Sequence, residues 1–244
     1  MLVSIITVVY NGAETIEKTI LSVLNQTYTD IEYIVVDGCS SDNTVAIAKS
    51  YVDKFIERGM SINVISEKDN GMYEALNKGI RLSHGELVGQ INSDDWYELT
   101  AVEDMVNLFE NEHYDIAWAS LNVLTPLGKK IKRAFYKPIL TTAGFSHPTM
   151  FTRREVLLEY PYACRDMDDD FDMVLRVKKG NKKIAVLNKP LANYVVGGMS
   201  TEKSIKNSFH RVKMKYSTYR RNGYTRFSLF YCIAVELVKY IFGG

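Results

Sequence analysis

Asn92, Ser93, Asp94 and Asp95 close the short apolar run "ELVGQI" with an amide, a hydroxyl and two carboxylates. Side by side, two carboxylates repel each other unless something positive lies next to them. Hard oxygen donors of this kind suit Mg²⁺ or Mn²⁺, which takes one or two protein carboxylates and completes its shell with phosphate oxygens. Asp is also a good helix N-cap, and "WYELTAVEDM" follows, so the stretch alone fits either a metal site or an ordinary turn. A second acidic run, from Asp166 to Asp172, heads the pattern "DDDFDMVLRVKKG". Carboxylates in a first helical turn gain about 0.3–1 kcal/mol each from the helix dipole, so capping competes there with proton transfer.

The elements that must position these groups alternate up to residue 112. "LVSIITVVY", "EYIVVD", "INVISE" and "ELVGQIN" read as strands; "AETIEKTILSVLNQ", "DNTVAIAKSYV", "MYEALNKGIRLS" and "LTAVEDMVNLFEN" read as helices, with Ile16, Ile20, Val23 and Leu24 on one face of the first. Apolar strands linked by helices imply an α/β fold with a mostly parallel sheet covered on both faces, whose ligands sit beyond the carboxyl ends of the strands. At those ends stand Tyr10 and Asn11, then Asp37, then Glu67, Lys68 and Asp69, then Asn92 to Asp95. Asp37 suits a base or ribose, and Lys68 a phosphate. From Asp115 the alternation fails: a hairpin turns at Pro126–Gly128, "SHPTMFTRREVLLEY" runs from strand to helix, and this half is expected to be α+β. The expected organisation is a ligand-binding half over 1–112, a second half of the same domain over 113–200, and a helical tail over 201–244.

The 244 residues are 46% apolar and 24% charged, enough for a substantial core. Cys39, Cys164 and Cys232 show neither a disulfide framework nor zinc-ligand spacing. The opening "MLVSIITVVYNG" has no basic segment or cleavage site, which reads as a first core strand and a cytoplasmic protein. The net charge of +1 conceals eight Lys or Arg against one Glu between Glu202 and Arg226. Ile205, Phe209, Val212, Tyr216 and Tyr219 form one helical stripe there, and the apolar stretch from Phe227 to Phe242 is too short to span a bilayer. The tail therefore reads as a helix docked on its own domain, as a peripheral contact with an anionic membrane, or as a homo-oligomer contact; nucleic acid ranks last because no recognition motif accompanies the basic run. Neither G-x-G-x-x-G nor G-x-x-x-x-G-K-[ST] occurs, against a dinucleotide or P-loop enzyme. The first turn, "NGAETIEK", is too acidic to cradle a triphosphate, so attack at a sugar carbon is favoured over nucleotidyl transfer.

"SIITVVYNGAETIEKTILSVLNQTYTDIEYIVVDGCSSDNT" followed by "SEKDNGMYEALNKGIRLSHGELVGQINSDDWY" resembles the family 2 glycosyltransferases of the GT-A fold, closest to bacterial enzymes that build exopolysaccharide, capsule or O-antigen. The resemblance spans roughly residues 1 to 200. It implies an inverting transferase that takes a nucleotide-sugar, a UDP-sugar by preference, to a saccharide or lipid-linked saccharide, with Mn²⁺ or Mg²⁺ as cofactor. The implied donor-binding residues are Thr7, Val9, Tyr10, Asn11, Asp37, Lys68, Asp69, Asn92, Ser93 and Asp94. Asp37 answers to the family's base-binding Asp, and Asp94 to the metal ligand of its D-x-D motif. Asn92 replaces the first Asp of that motif, removing one charge. The family's acid pair, whose second member is the catalytic base, falls on Asp169 and Asp170, with Asp168 and Asp172 as competitors for the register. His147, Tyr73, Asp95 and Asp169 are assigned to the acceptor and sugar pocket; Glu74, Asn77 and Lys78 could also face the sugar. "VVGGMS" matches a late family loop near the donor phosphates, or is an ordinary Gly-Gly turn. A nucleotidyltransferase acting on sugar phosphates remains the rival enzyme, and Asn92 keeps open an inactive sugar-nucleotide-binding module.

Overall fold

The computed structural model describes residues 1–137, 141–196 and 205–242, with backbone alone at 205, 206 and 239–242. "VVGGMS" lies outside the described residues from Gly197 onward. The first half runs β1 (Val3–Val9), α1 (Ile16–Leu24), β2 (Ile31–Asp37), α2 (Thr44–Lys49), α3 (Val52–Glu57), β3 (Ser61–Ser66), α4 (Met72–Leu82), β4 (Leu87–Gln90), β5 (Trp96–Tyr97) and α5 (Ala101–Glu112). The second runs β6 (Ile116–Thr125), β7 (Gly128–Lys132), a 3-10 turn at His147–Thr149, β8 (Phe151–Arg153), α6 (Arg154–Glu159), α7 (Asp169–Lys179) and β9 (Ile184–Val195). Helices α8 (Ile205–Arg221) and α9 (Ser228–Phe242) follow. The helix expected over "DNTVAIAKSYV" ends at Lys49, where Ser50 Oγ donates to the Ile47 carbonyl (2.7 Å) and competes with the helical ladder, and α3 starts afresh at Val52.

The strands of both halves join one sheet in the order β3-β2-β1-β4-β8-β6-β9-β5, with β7 paired to β6. Parallel pairing holds from β3 to β4; β8 is antiparallel to both β4 and β6, which makes the sheet mixed. Strand alternation divides the core between its two faces. Val3, Ile5 and Val9 pack with Ile20, Phe55 and Met105 of the α1, α3 and α5 side, while Ile6 and Val8 pack with Leu76, Val156 and Phe171 of the α4, α6 and α7 side. Each aliphatic side chain so buried contributes about 1.5–3 kcal/mol.

Gly89 lies where β4 is clasped between β1 and β8. A Cβ there would come within 2.7 Å of Phe151 Cε1 and 2.9 Å of Ile5 Cδ1. Gly89→Ala is expected to destabilise the fold by about 1–3 kcal/mol, measured by thermal or urea denaturation.

Helix α8 docks through Tyr219, which is buried and edge-on to Phe171 (5.6 Å) and Tyr231 (5.9 Å). Helix α9 is held by Glu236, which accepts from Arg211 Nε at 2.8 Å. Of the stripe read in the sequence, Val212 and Tyr216 pack with the core but Phe209 is exposed. On α9 and just before it, Phe227, Phe230, Ile233, Leu237 and Val238 form an exposed apolar face. Among the described residues no helix is long and apolar enough to cross a membrane.

Candidate active site

An open cleft of about 1510 Å³ lies at the carboxyl ends of β1 and β4, bounded by the start of α4, residues 142–148, the start of α7 and the facing side of α8 and α9. The β1–α1 turn enters it with Asn11 in the left-handed region (φ 50°), a conformation Asn tolerates. Asn11 N–H donates to Ser40 Oγ (2.7 Å), Ser41 N–H returns to Asn11 Oδ1 (2.9 Å), and Gly12 N–H donates to Thr44 Oγ1 (2.9 Å). These bonds fix one lip of the cleft.

The two adjacent carboxylates after β4 part company. Asp94 is exposed in the cleft beside Asn92 and Ser93. Asp95 turns the other way and is buried: Thr19 Oγ1 donates to its carbonyl (2.6 Å) and Asn92 Nδ2 lies 3.3 Å from its Oδ2. Burial, followed by the charge of Asp94, pushes the Asp95 carboxyl up to about 8, so it is largely protonated at neutral pH and the repulsion is relieved. Asp95, expected in the sugar pocket, does not line the cleft.

Asp69, Glu74 and Asp94 line the cleft from the first half, which among the described residues adds no Lys or Arg to the lining. No cluster of three or more His, Cys, Asp or Glu able to enclose an ion occurs among the described residues. A single carboxylate with an amide and a hydroxyl beside it fits Mg²⁺ or Mn²⁺ completed by substrate phosphates, rather than a cation caged by protein.

Helix α7 sorts the second acidic run. Asp169 is buried, accepts the Arg165 N–H and has its carboxyl raised mainly by burial; it does not line the cleft. Asp172 points into the protein, where Arg176 Nε (2.9 Å) and Asn222 Nδ2 (2.8 Å) bind it and Arg221 Nε lies 3.6 Å away. This joint locks α7 to the end of α8, and Asp172→Ala is expected to cost about 3 kcal/mol of stability in a denaturant titration.

Asp170 lines the cleft, with Oδ2 at 3.6 Å from His147 Nδ1 and the Tyr73 hydroxyl within hydrogen-bonding reach. Burial pushes its carboxyl up to about 6, against the opposing pull of the Phe171 N–H, Tyr73, Lys132 and Lys215. Such a group is ionised at neutral pH yet basic enough to take a proton. Burial also depresses His147 to about 4, so its imidazole is neutral; neither ring nitrogen has a hydrogen-bond partner among the described residues. Tyr73 stacks on Tyr162 (5.1 Å) and donates to the Met167 carbonyl (3.0 Å).

Residues 4–159 match the family model for glycosyl transferase family 2. The chain belongs to that family. As a family 2 chain it is 30% identical over 214 residues to the chondroitin synthase of Pasteurella multocida, an alignment covering 84% of this chain and 22% of that protein. It thus spans about a fifth of that relative's length. TarS of S. aureus, residues 1–349 in complex with UDP, superposes with a TM-score of 0.69 at 19% identity over 99% of this chain and 72% of that one. A mannosyltransferase of Pyrobaculum calidifontis in complex with GDP-Man and Mn²⁺ superposes at 0.66 and 16% identity, over 98% of this chain and 70% of that one. The fold is GT-A.

Within this family 2 fold, Val9, Tyr10, Asn11, Asp69, Tyr73, Asn92, Ser93, Asp94, His147 and Asp170 all line the one cleft. Other expected residues do not. Thr7 is buried and accepts from Tyr33 OH (2.9 Å), since alternation along β1 turns it into the core. Asp37 is buried among serines, accepting from Ser40 N–H (3.0 Å) and Ser66 Oγ (2.6 Å). Lys68 follows the edge strand β3 and is exposed outside the lining. Asn77 clamps the backbone of Tyr162 and Lys78 pairs with Glu67 (2.8 Å), and neither lines the cleft. The sequence reading missed Lys132, Thr142, Arg211 and Lys215 in the lining. The only local signal of the three cations was charge, and Thr142 had none.

Proposed function

We propose that this chain is an inverting glycosyltransferase that moves a sugar from a nucleotide-sugar, a UDP-sugar by preference, to a saccharide or lipid-linked saccharide of a bacterial surface polymer. The observation that carries this is a single cleft lined both by Asn92, Ser93 and Asp94 and by Asp170, a carboxylate buried enough to act as a base. The UDP complex of TarS supports the choice of donor, and the chondroitin synthase supports a polysaccharide product.

Asp94 would hold Mn²⁺ or Mg²⁺, with Asn92 and Ser93 beside it, and the bound ion would offset charge on the departing diphosphate. Asp170 accepts the proton of the acceptor hydroxyl. That oxygen bonds to the anomeric carbon as the bond to the diphosphate breaks, the electron pair leaves with the phosphate oxygen, and the carbon inverts. Tyr73 and neutral His147, whose Nδ1 lies 3.6 Å from Asp170 Oδ2, wall the cleft beside that carboxylate. The basic α8 and the exposed apolar face of α9 support peripheral attachment to an anionic membrane, which suits a lipid-linked acceptor.

The test is calorimetry of UDP-, GDP- and dTDP-sugars with and without Mn²⁺, followed by the slow hydrolysis of any donor that binds. Mn²⁺-dependent binding with hydrolysis is expected. Binding without turnover would instead make the chain a sugar-nucleotide-binding module, and pyrophosphate release from NTP plus sugar phosphate would make it a nucleotidyltransferase.

A further inference from the structure

From Phe227 to Val238 the chain carries one charged residue, Glu236, and that residue is buried. Within α9, Cys232 and Glu236 lie one turn apart on the inner side, and Val235 beside them lines the cleft. Phe230, Ile233, Ala234, Leu237 and Val238 occupy the opposite side and face solvent, with 68% of Phe230 and 57% of Val238 open. Phe227, 76% exposed, lengthens this patch at its amino end. A helix apolar on all sides belongs in a core or against an apolar phase, and the outer half of this one is bare among the described residues.

The charges around the patch decide what covers it. Lys213 and Arg220 share an exposed face of α8 with Phe209, and Arg226 stands at the head of the α9 patch. Glu236 is the only acid from Lys203 to Gly244, and it is paired with Arg211. A second copy seated through the same surface would set these cations against their own images. An anionic bilayer complements both parts, taking the apolar face into its interface and the cations onto its headgroups.

The helix that presents this face is also a wall of the cleft. Its inner side supplies Val235, and Glu236 accepts from Arg211 Nε (2.8 Å), a second residue of the lining. A helix of 15 residues is marginal in water by itself, so its order depends on what it packs against. We propose that an anionic bilayer, by covering the outer face of α9, steadies that helix together with Val235 and Arg211, so that the membrane regulates the cleft as well as holding the protein. This rests on the transferase reading above and adds a regulation to it: donor turnover is faster on anionic vesicles than in solution.

The experiment uses the full chain, Mn²⁺ and a nucleotide-sugar shown to bind, with no acceptor present. Donor hydrolysis and amide hydrogen exchange are followed in buffer, with phosphatidylcholine vesicles, and with vesicles of equal parts phosphatidylcholine and phosphatidylglycerol. The chain is expected to co-sediment with the anionic vesicles alone and to hydrolyse donor about fivefold faster on them, while exchange slows across α9. Phe230→Ser combined with Leu237→Ser is expected to abolish co-sedimentation and the vesicle response. Binding to anionic vesicles with no change in hydrolysis or in α9 exchange would overturn the regulation and leave the transferase reading standing. So would failure to bind them together with a wild-type dimer that the double variant dissolves, which would assign the face to a second copy. Donor that is not hydrolysed under any of the three conditions would overturn both readings.

Discussion

Asp170→Asn is expected to lower the rate of transfer, or of donor hydrolysis, by about 10²–10⁴-fold, with the affinity for UDP and Mn²⁺ unchanged. The amide keeps the shape of the side chain and its place beside Tyr73 and His147 but cannot accept the acceptor's proton. The wild-type pH profile should carry the same signature. The carboxylate works only when ionised, and its pKa is about 6, so kcat/KM is level above that pH and falls as pH drops through it, by about tenfold per unit. Asp170→Asn should lose that acid limb along with the rate. A variant that hydrolyses donor as fast as wild type would assign the base to another residue, Asp166 and Asp168 being the carboxylates of the same run that also line the cleft.

Asp94→Ala is expected to reduce kcat/KM by about 10²–10³-fold, the loss of several kcal/mol of charge stabilisation at the leaving diphosphate. Because the first half offers no Lys or Arg to the lining among the described residues, nothing on that side is placed to substitute for the ion. In calorimetry the variant should lose the Mn²⁺-dependent part of UDP binding, and a chelator that inactivates the wild type should add little to the damage. Asp95→Asn, one residue on but buried beneath the loop, should keep the Mn²⁺ response. If the two substitutions act alike, the ion does not sit at Asp94.

The parts of this site that were legible in the sequence are those held by local pattern. Apolar strands ending in polar residues placed Asn11, Asn92, Ser93 and Asp94 at one edge, because in a parallel sheet every carboxyl end faces the same way. The helical pattern after Asp168 limited the proposed base to a few neighbouring carboxylates but left the choice between them to the helix's orientation. Asp172 points inward at Arg176 and Asn222, Asp169 lies under the turn, and Asp170 is left facing the cleft. Where the pattern misled, burial was the reason. Thr7 and Asp95 are polar residues turned into the core, and polarity in a sequence does not say which way a side chain faces. Lys132 and Lys215 were illegible for another reason. They are 83 positions apart by their numbers and come together through the antiparallel pairing of β6 with β7 and the docking of Tyr219, neither of which leaves a local trace.

The reach of α8 and α9 into the cleft bears on how gene fragments and chimaeras of this protein behave. The family match stops at residue 159, yet Asp170, Arg211, Lys215 and Val235 all border the same space. A fragment trimmed at that homology boundary would lack the proposed base. One trimmed at Arg221 would keep Asp170 but strip Arg211 of Glu236 and bare the Tyr219 ring to water. A fragment or graft that is to keep the whole lining of the cleft therefore has to carry both terminal helices as one piece.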